Sequence, residues 1–232
     1  MPKKKLVVLT GAGISAESGL KTFRDAGGLW EGHNVYEVAS PEGWYANPEL
    51  VLEFYNQRRK QLLEVEPNPA HHALVELEDF FEVVIVTQNV DDLHERAGSQ
   101  NIIHLHGELK KVRSTVYENL VYELPGWELK LGDNCEKGHQ LRPHIVWFGE
   151  SVPLIEDAAL HCSDADLLAV IGTSMQVYPA AGLIHYASVQ APKFYIDPQA
   201  EPLHSVQNLR CIKQNASSGV PELVQYLKRD FL

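Results

Sequence analysis

The residues best suited to chemistry fall in a few short groups, each at the end of an apolar run. Gly11-Ala12-Gly13-Ile14-Ser15-Ala16-Glu17-Ser18-Gly19 directly follows the run 6–9. A β-branched strand that leads through glycines into a helix start turns backbone N–H groups toward an anion. Gly11, Gly13 and Ala16 also fit the G-x-G-x-x-G/A spacing of a dinucleotide site. Tight strand-to-helix turns need glycine whatever they bind, so spacing alone leaves both readings open. Gln88, Asn89 and Asp91 follow the run 83–86. Asn89 and Asp91 can exchange hydrogen bonds with a ribose or a carboxamide, or can cap a helix. His106 closes the run 102–105, where an imidazole can act as a general base near neutral pH. It is also one of eleven histidines, any of which can be structural. Gly172, Thr173 and Ser174 follow the run 167–171 and offer small residues and hydroxyls to a phosphate or ribose. The apolar stretch 143–150 suits pairing with a second backbone by strand addition, and equally suits a core strand.

These groups need elements to hold them. Runs rich in Val, Ile and Leu recur at 6–9, 83–86, 102–105, 167–171, 194–196 and 209–212. They lack polar alternation, as strands buried on both faces do, and helical patterns separate several of them. The pattern predicts helices at 48–63, 69–78, 154–161, 179–188 and 221–228, with Asn47-Pro48 as a capped start. The fold class expected is α/β: a Rossmann-like parallel sheet with helices on both faces, plus a small inserted lobe. The large domain takes residues 1–29, 67–107 and 144–232. The small lobe takes 30–66, a turn-rich start and then a helix, and 108–143, polar and punctuated by Gly and Pro.

Composition narrows the function classes. The chain has 232 residues and a formal net charge of -11, with no basic run beyond Lys3-Lys4-Lys5. Nucleic acid is therefore not an expected partner, since phosphate binding needs a clustered basic surface. No apolar run approaches a membrane span, and the strand run 6–9 begins immediately after the opening lysines with no apolar h-region of a targeting signal between them. Cys135, Cys162 and Cys211 are widely spaced and odd in number, which suggests a reducing, cytosolic compartment without disulfides.

Taken together and in order, GAGISAESG with Thr22-Phe23-Arg24, TQNVDDLHERAG, HLHG, RPHIVWFGE and GTSMQVYPA resemble the sirtuins, NAD-dependent protein-lysine deacylases. The motifs span nearly the whole chain. The resemblance implies NAD as cofactor and an acyl-lysine protein or peptide as substrate. It places Gly11, Ala12, Gly13, Glu17, Phe23, Arg24, Gln88, Asn89, Asp91, Gly172, Thr173, Ser174, Asp197 and Ala216 at the cofactor. Asp197 stands where the family often has an asparagine for the adenosine ribose, and a carboxylate can accept from the same hydroxyls. His106 would be the catalytic base, assisted by Asn89 and Asp91, and Val146, Trp147, Phe148 and Gly149 would hold the substrate as an added strand. The implied reaction consumes NAD. The acyl oxygen attacks C1′ of the nicotinamide ribose, His106 deprotonates a ribose hydroxyl, and the products are nicotinamide, O-acyl-ADP-ribose and free lysine. A plain deacetylase, a mono-ADP-ribosyl transferase and a non-catalytic NAD or ADP-ribose sensor are the alternatives.

Tyr55 and Arg58 are three residues apart on the expected helix and so share a face. A guanidinium beside a phenol can hold a carboxylate from two directions. In the sirtuin branch that removes succinyl, malonyl and glutaryl groups, such a Tyr-x-x-Arg pair reads the acyl carboxylate; Ala39 and Trp147 match the same branch. Spacing alone fits an exposed arginine and a packed tyrosine equally well.

The chain departs from the family at the structural zinc, usually held by two C-x-x-C pairs. The first pair's positions read Ser114-Thr115-Val116-Tyr117, and the second retains only Cys135 and His139. Two ligands do not close a tetrahedron, so no zinc is expected. Val112, Val116, Tyr117, Leu120, Val121, Tyr122, Leu124, Trp127, Leu129 and Leu131 are expected instead to form a metal-free mini-core, on a hairpin around Pro125-Gly126. Lys21 replaces a frequent proline and carries no functional reading.

Overall fold

The computed structural model describes residues 2–20, 29–30 and 32–232. Phe23 and Arg24, with Lys21 and Thr22, lie outside the described residues.

Strand β1 (Lys5–Thr10) forms the middle of a six-stranded sheet and leads into the short helix α1 (Gly13–Ala16). A two-stranded hairpin of β2 (Leu29–Trp30) and β3 (His33–Asn34) follows, with short helices α2 (Val35–Val38) and α3 (Pro41–Ala46). The long helix α4 (Pro48–Leu62) starts where the Asn47 side chain accepts from the Leu50 N–H at 3.0 Å, and proline fills its first position, as the sequence predicts. Then come α5 (Pro69–Leu77), β4 (Glu82–Thr87), α6 (Leu93–Ala97) and β5 (Ile102–His104). A second sheet is built from β6 (Gly107–Ser114), β7 (Val121–Glu123) and β8 (Leu141–Ile145). The chain returns through α7 (Ile155–Ser163), β9 (Leu167–Ile171), a 3-10 helix (Ala180–His185), β10 (Lys193–Ile196), β11 (Leu209–Ile212) and α8 (Ala216–Phe231).

The large sheet runs β11-β10-β9-β1-β4-β5 with every pairing parallel. Alternation along β1 explains the three layers. Leu6 and Val8 face a core that includes α5 and α8, while Val7 and Leu9 face one that includes α7 and the 3-10 helix. The strand order reverses direction between β1 and β9, the switch point at whose carboxyl side such sheets bind ligands.

The helix expected at 179–188 is a 3-10 helix confined to Ala180–His185. The last helix begins earlier than expected, at Ala216, with Pro221 inside it. The stretch 143–150 divides: Pro143 to Ile145 complete β8 against β6, whereas Val146 to Gly149 leave the sheet.

The expected mini-core is also corrected. Val116, Tyr117, Val121 and Leu131 are exposed, and the β6–β7 hairpin turns at 115–120, not at Pro125-Gly126. The buried members, Val112 and Leu129, instead extend a core shared with Val51, Phe54 and Tyr55 of α4. A three-stranded sheet with one half-solvated face cannot bury that many apolar groups alone, so it borrows the helix. Arg59, buried on α4, donates through Nε to Leu109 O at 2.7 Å and through Nη1 to Asn56 Oδ1 and Trp127 O at 2.8 and 3.3 Å. Asn56 bonds both backbone groups of Leu129, at 2.9 and 3.0 Å.

At the family's zinc positions, Ser114 Oγ accepts from Val116 N, Tyr117 N and, at 3.5 Å, Cys135 Sγ. The His139 ring packs on Tyr117 at 5.4 Å, with Lys137 Nζ 3.9 Å from the Tyr117 ring centre.

Candidate active site

At the carboxyl end of β1 the glycines serve packing before binding. Gly11 N and Gly13 N donate to Ile171 O and Gly172 O, at 3.0 and 2.7 Å. A Cβ on Gly13 would stand 2.7 Å from Gly172 Cα. Both N–H groups are thus used in holding the first loop against the loop after β9. That contact brings Ala12 to the same opening as Thr173 and Ser174.

Beside it, β4 ends in a network of buried polar groups. Asn89 Nδ2 donates to Gly11 O at 3.2 Å and to Ser15 Oγ at 3.0 Å, and Ser15 Oγ donates to Asp91 Oδ2 at 3.0 Å. Leu93 N donates to Asp91 Oδ1 at 3.2 Å, but neither Asn89 nor Asp91 caps α6: the capping position is Asp92, which makes no side-chain cap hydrogen bond. Burial pushes the Asp91 carboxyl up to about 6, against the lowering effect of these donors. Ser15 went unremarked in the sequence because serine near a helix start is common; only its pairing with Asn89 and Asp91 marks it.

His106 follows β5 and is half-buried. Its Nδ1 lies 3.0 Å from Gln88 O, which fixes Nδ1 as the donor and leaves Nε2 as the acceptor. Burial lowers its pKa, with the Gln88 carbonyl opposing, so the neutral imidazole is the favoured form near neutrality. Gly107 must be glycine: its φ is +81° and a Cβ would meet His144 O at 2.0 Å. This close crossing of β6 and β8 places Val146 N 2.9 Å from His106 O, tying His106 to the segment 146–149.

The opposite wall belongs to the small lobe. Tyr55 is wholly buried, and its phenolic oxygen accepts from Trp147 Nε1 at 3.0 Å. Burial raises its pKa, so it stays a phenol. Arg58 is half-buried, its guanidinium 4.8 Å from the Phe54 ring centre. Ala39 O accepts from Phe148 N at 3.0 Å, which joins α2 to the same segment.

One cavity of about 870 Å³ is lined by all of these: the loop of Gly11, Ala12, Gly13 and Glu17; Gln88, Asn89, Asp91 and His106; and Gly172, Thr173 and Ser174. Asp197, Ala216, Ala39, Tyr55, Arg58 and the segment Val146, Trp147, Phe148 and Gly149 complete it. Gly11 and Gly13 contribute to its floor although their N–H groups are used elsewhere. Glu17 reaches across to α8, accepting from Ser217 N and Oγ at 2.9 and 2.6 Å, and Asp197 accepts from Gln199 N at 2.9 Å. Trp30, Gln61, Val152 and Asn215, which carry no local sequence signal, also line it. Among the described residues no helix is long and apolar enough to cross a membrane.

Known proteins place this geometry. The family model "Sir2 family" matches residues 11–179. An NAD-dependent protein deacylase of Helicobacter pylori (strain J99) is 59% identical over 226 residues, covering 97% of this chain and 95% of that protein. One of Vibrio cholerae is 47% identical over 234 residues, with 97% and 94% covered. Among solved structures, a Sir2 homologue–NAD complex is 40% identical with a TM-score of 0.85, covering 98% of this chain and 90% of that one. A Sir2–p53 peptide–NAD+ complex is 30% identical with a TM-score of 0.77, with 98% and 93% covered. The chain belongs to the Sir2 family, the sirtuins.

Proposed function

We propose that the protein is an NAD-dependent protein-lysine deacylase that prefers acyl groups ending in a carboxylate. The observation that carries this reading is one cavity shared by a neutral, correctly tautomeric His106 and by the Tyr55–Arg58 wall.

The residues present fit NAD. The Gly172 loop and Ala12 leave room for backbone approach, Asp197 and Glu17 offer carboxylate acceptors to ribose hydroxyls, and the buried Asn89–Ser15–Asp91 network suits a carboxamide-bearing ring. NAD, when bound, supplies a ribose whose bond to nicotinamide can be broken. His106 takes a proton at Nε2, with Gln88 O holding the opposite nitrogen in place. Asn89 and Asp91 orient the reacting end of the cofactor. Trp147 and Phe148 line the acyl-lysine entry, with Val146 and Gly149 offering backbone to the peptide as an added strand. Tyr55 and Arg58 meet the acyl carboxylate, the phenol as donor and the guanidinium as counter-charge. The small lobe's Ser114, Cys135 and His139 do not complete a zinc site, and the lobe is read as metal-free.

Acetyl, succinyl and malonyl versions of one lysine peptide, with nicotinamide release as the readout, test the proposal. Succinyl or malonyl turnover is expected to exceed acetyl, and Arg58→Met to lower kcat/KM on succinyl-lysine by about 100-fold while changing acetyl-lysine by less than threefold, because a desolvated carboxylate loses its partner. Equal losses on both would remove the acidic-acyl preference and leave a plain deacetylase. NAD cleavage without acyl-lysine would favour an ADP-ribosyl transferase instead.

A further inference from the structure

Trp147 is 2% exposed, and its indole is held on several sides. The Arg142 guanidinium lies 3.3 Å from the ring centre, and the Trp44 ring lies 5.8 Å away, tilted by 36°. The indole N–H donates to Tyr55, and the backbone N–H donates to Glu150 Oε2 at 2.8 Å. Arg142 is itself fixed. Its Nη1 lies 2.6 Å from Glu150 Oε1, and its Nη2 donates to Ile145 O at 2.9 Å. Arg113 pairs with the same carboxylate at 3.2 Å. Two guanidiniums thus share one carboxylate with little exposure, 10% for each arginine side chain and 21% for Glu150. Arg142 is not part of the cavity lining, whereas Trp147, Tyr55 and Glu150 are.

We propose that Arg142 is a positioning residue for substrate: clamped by Glu150, it fixes the plane of the Trp147 indole and through it the Tyr55 phenol. It thereby aligns the wall along which the acyl-lysine chain enters. A planar guanidinium stacked on an indole restrains rotation about the side chain, and a flexible ammonium does so poorly. The backbone of 146–149 has separate anchors, from Val146 N to His106 O and from Phe148 N to Ala39 O. Loss of Arg142 therefore frees the ring more than the loop. This inference rests on the reading of the cavity as an acyl-lysine site.

The test uses Arg142→Met and Arg142→Lys in the full chain, with acyl-lysine peptide and NAD varied separately and indole emission recorded. The peptide KM is expected to rise about tenfold in the Met variant, the change that 1.4 kcal/mol represents, and by less in the Lys variant. The NAD KM and the kcat at saturation should stay within threefold. The emission spectrum should change, and that change should vanish when both proteins carry Trp147→Phe. Parallel rises in both KM values, or an unchanged emission with peptide KM within twofold, would overturn the assignment. If Arg142→Met does not fold, Arg142→Lys carries the same readouts. If the unaltered protein turns over no acyl-lysine peptide, the functional reading fails, and the emission comparison still decides whether Arg142 orients Trp147.

Discussion

The two halves of the cavity are built by different physics. On the sheet side, parallel strands of Val, Ile and Leu bury both faces, and the loops meet through backbone contacts that tolerate no Cβ, as at Gly13 against Gly172. On the small-lobe side, the strands are short, several large side chains are exposed, and polar groups of α4 supply the order. Burial of apolar area scales with the surface available, so the sheet can be held by it, whereas the lobe needs directional bonds. The small-lobe wall of the cavity is the more specifically held and the more breakable half.

Arg59→Met should break that half first. It removes the donor to Leu109, Asn56 and Trp127 and leaves their oxygens buried, a loss of about 4 kcal/mol. Hydrogen exchange should accelerate in β6 and at 127–129 while the amides of β1 and β9 keep their protection. Uniform acceleration would mean that the halves fold as one unit.

Asp91 tests the sheet side through pH. Its folded pKa of about 6 lies above the ordinary aspartate value of 3.8, so the native state holds a proton that the unfolded chain releases between those values. This group's contribution to stability therefore falls as pH rises from about 4 to 6. Asp91→Asn should remove that slope, giving a melting temperature that gains on the parent with rising pH, and it should cost activity. Parallel curves across this window would refute the shift.

The smallest expected effect sharpens the contrast. Prolonged chelation should leave the melting temperature unchanged, and elemental analysis should find no stoichiometric zinc, because the positions near Ser114 and Cys135 are bonded to each other. A drop on chelation would restore a metal to the lobe.

Much of this was legible in the residues. The strands at 83–86 and 167–171 and the capped start at Asn47 are set locally, by β-branched runs and by a side chain that satisfies its neighbour's N–H. The 3-10 helix at Ala180–His185 was not, because apolar periodicity does not separate a short 3-10 turn from an α-helix. Arg59 was passed over for the adjacent Arg58, since neighbouring positions on one helix differ in environment only once a second element is laid against them.

The sequence by itself determined the alternation of strands and helices and the chemical types that end each strand, because these depend on neighbours a few positions away. Only the tertiary structure decided that the glycine N–H groups are already committed, that Ser15 joins Asn89 to Asp91, and that Trp147 sits between Arg142 and Tyr55. Those contacts join residues far apart along the chain, and their geometry exists only after the sheet and the small lobe have packed.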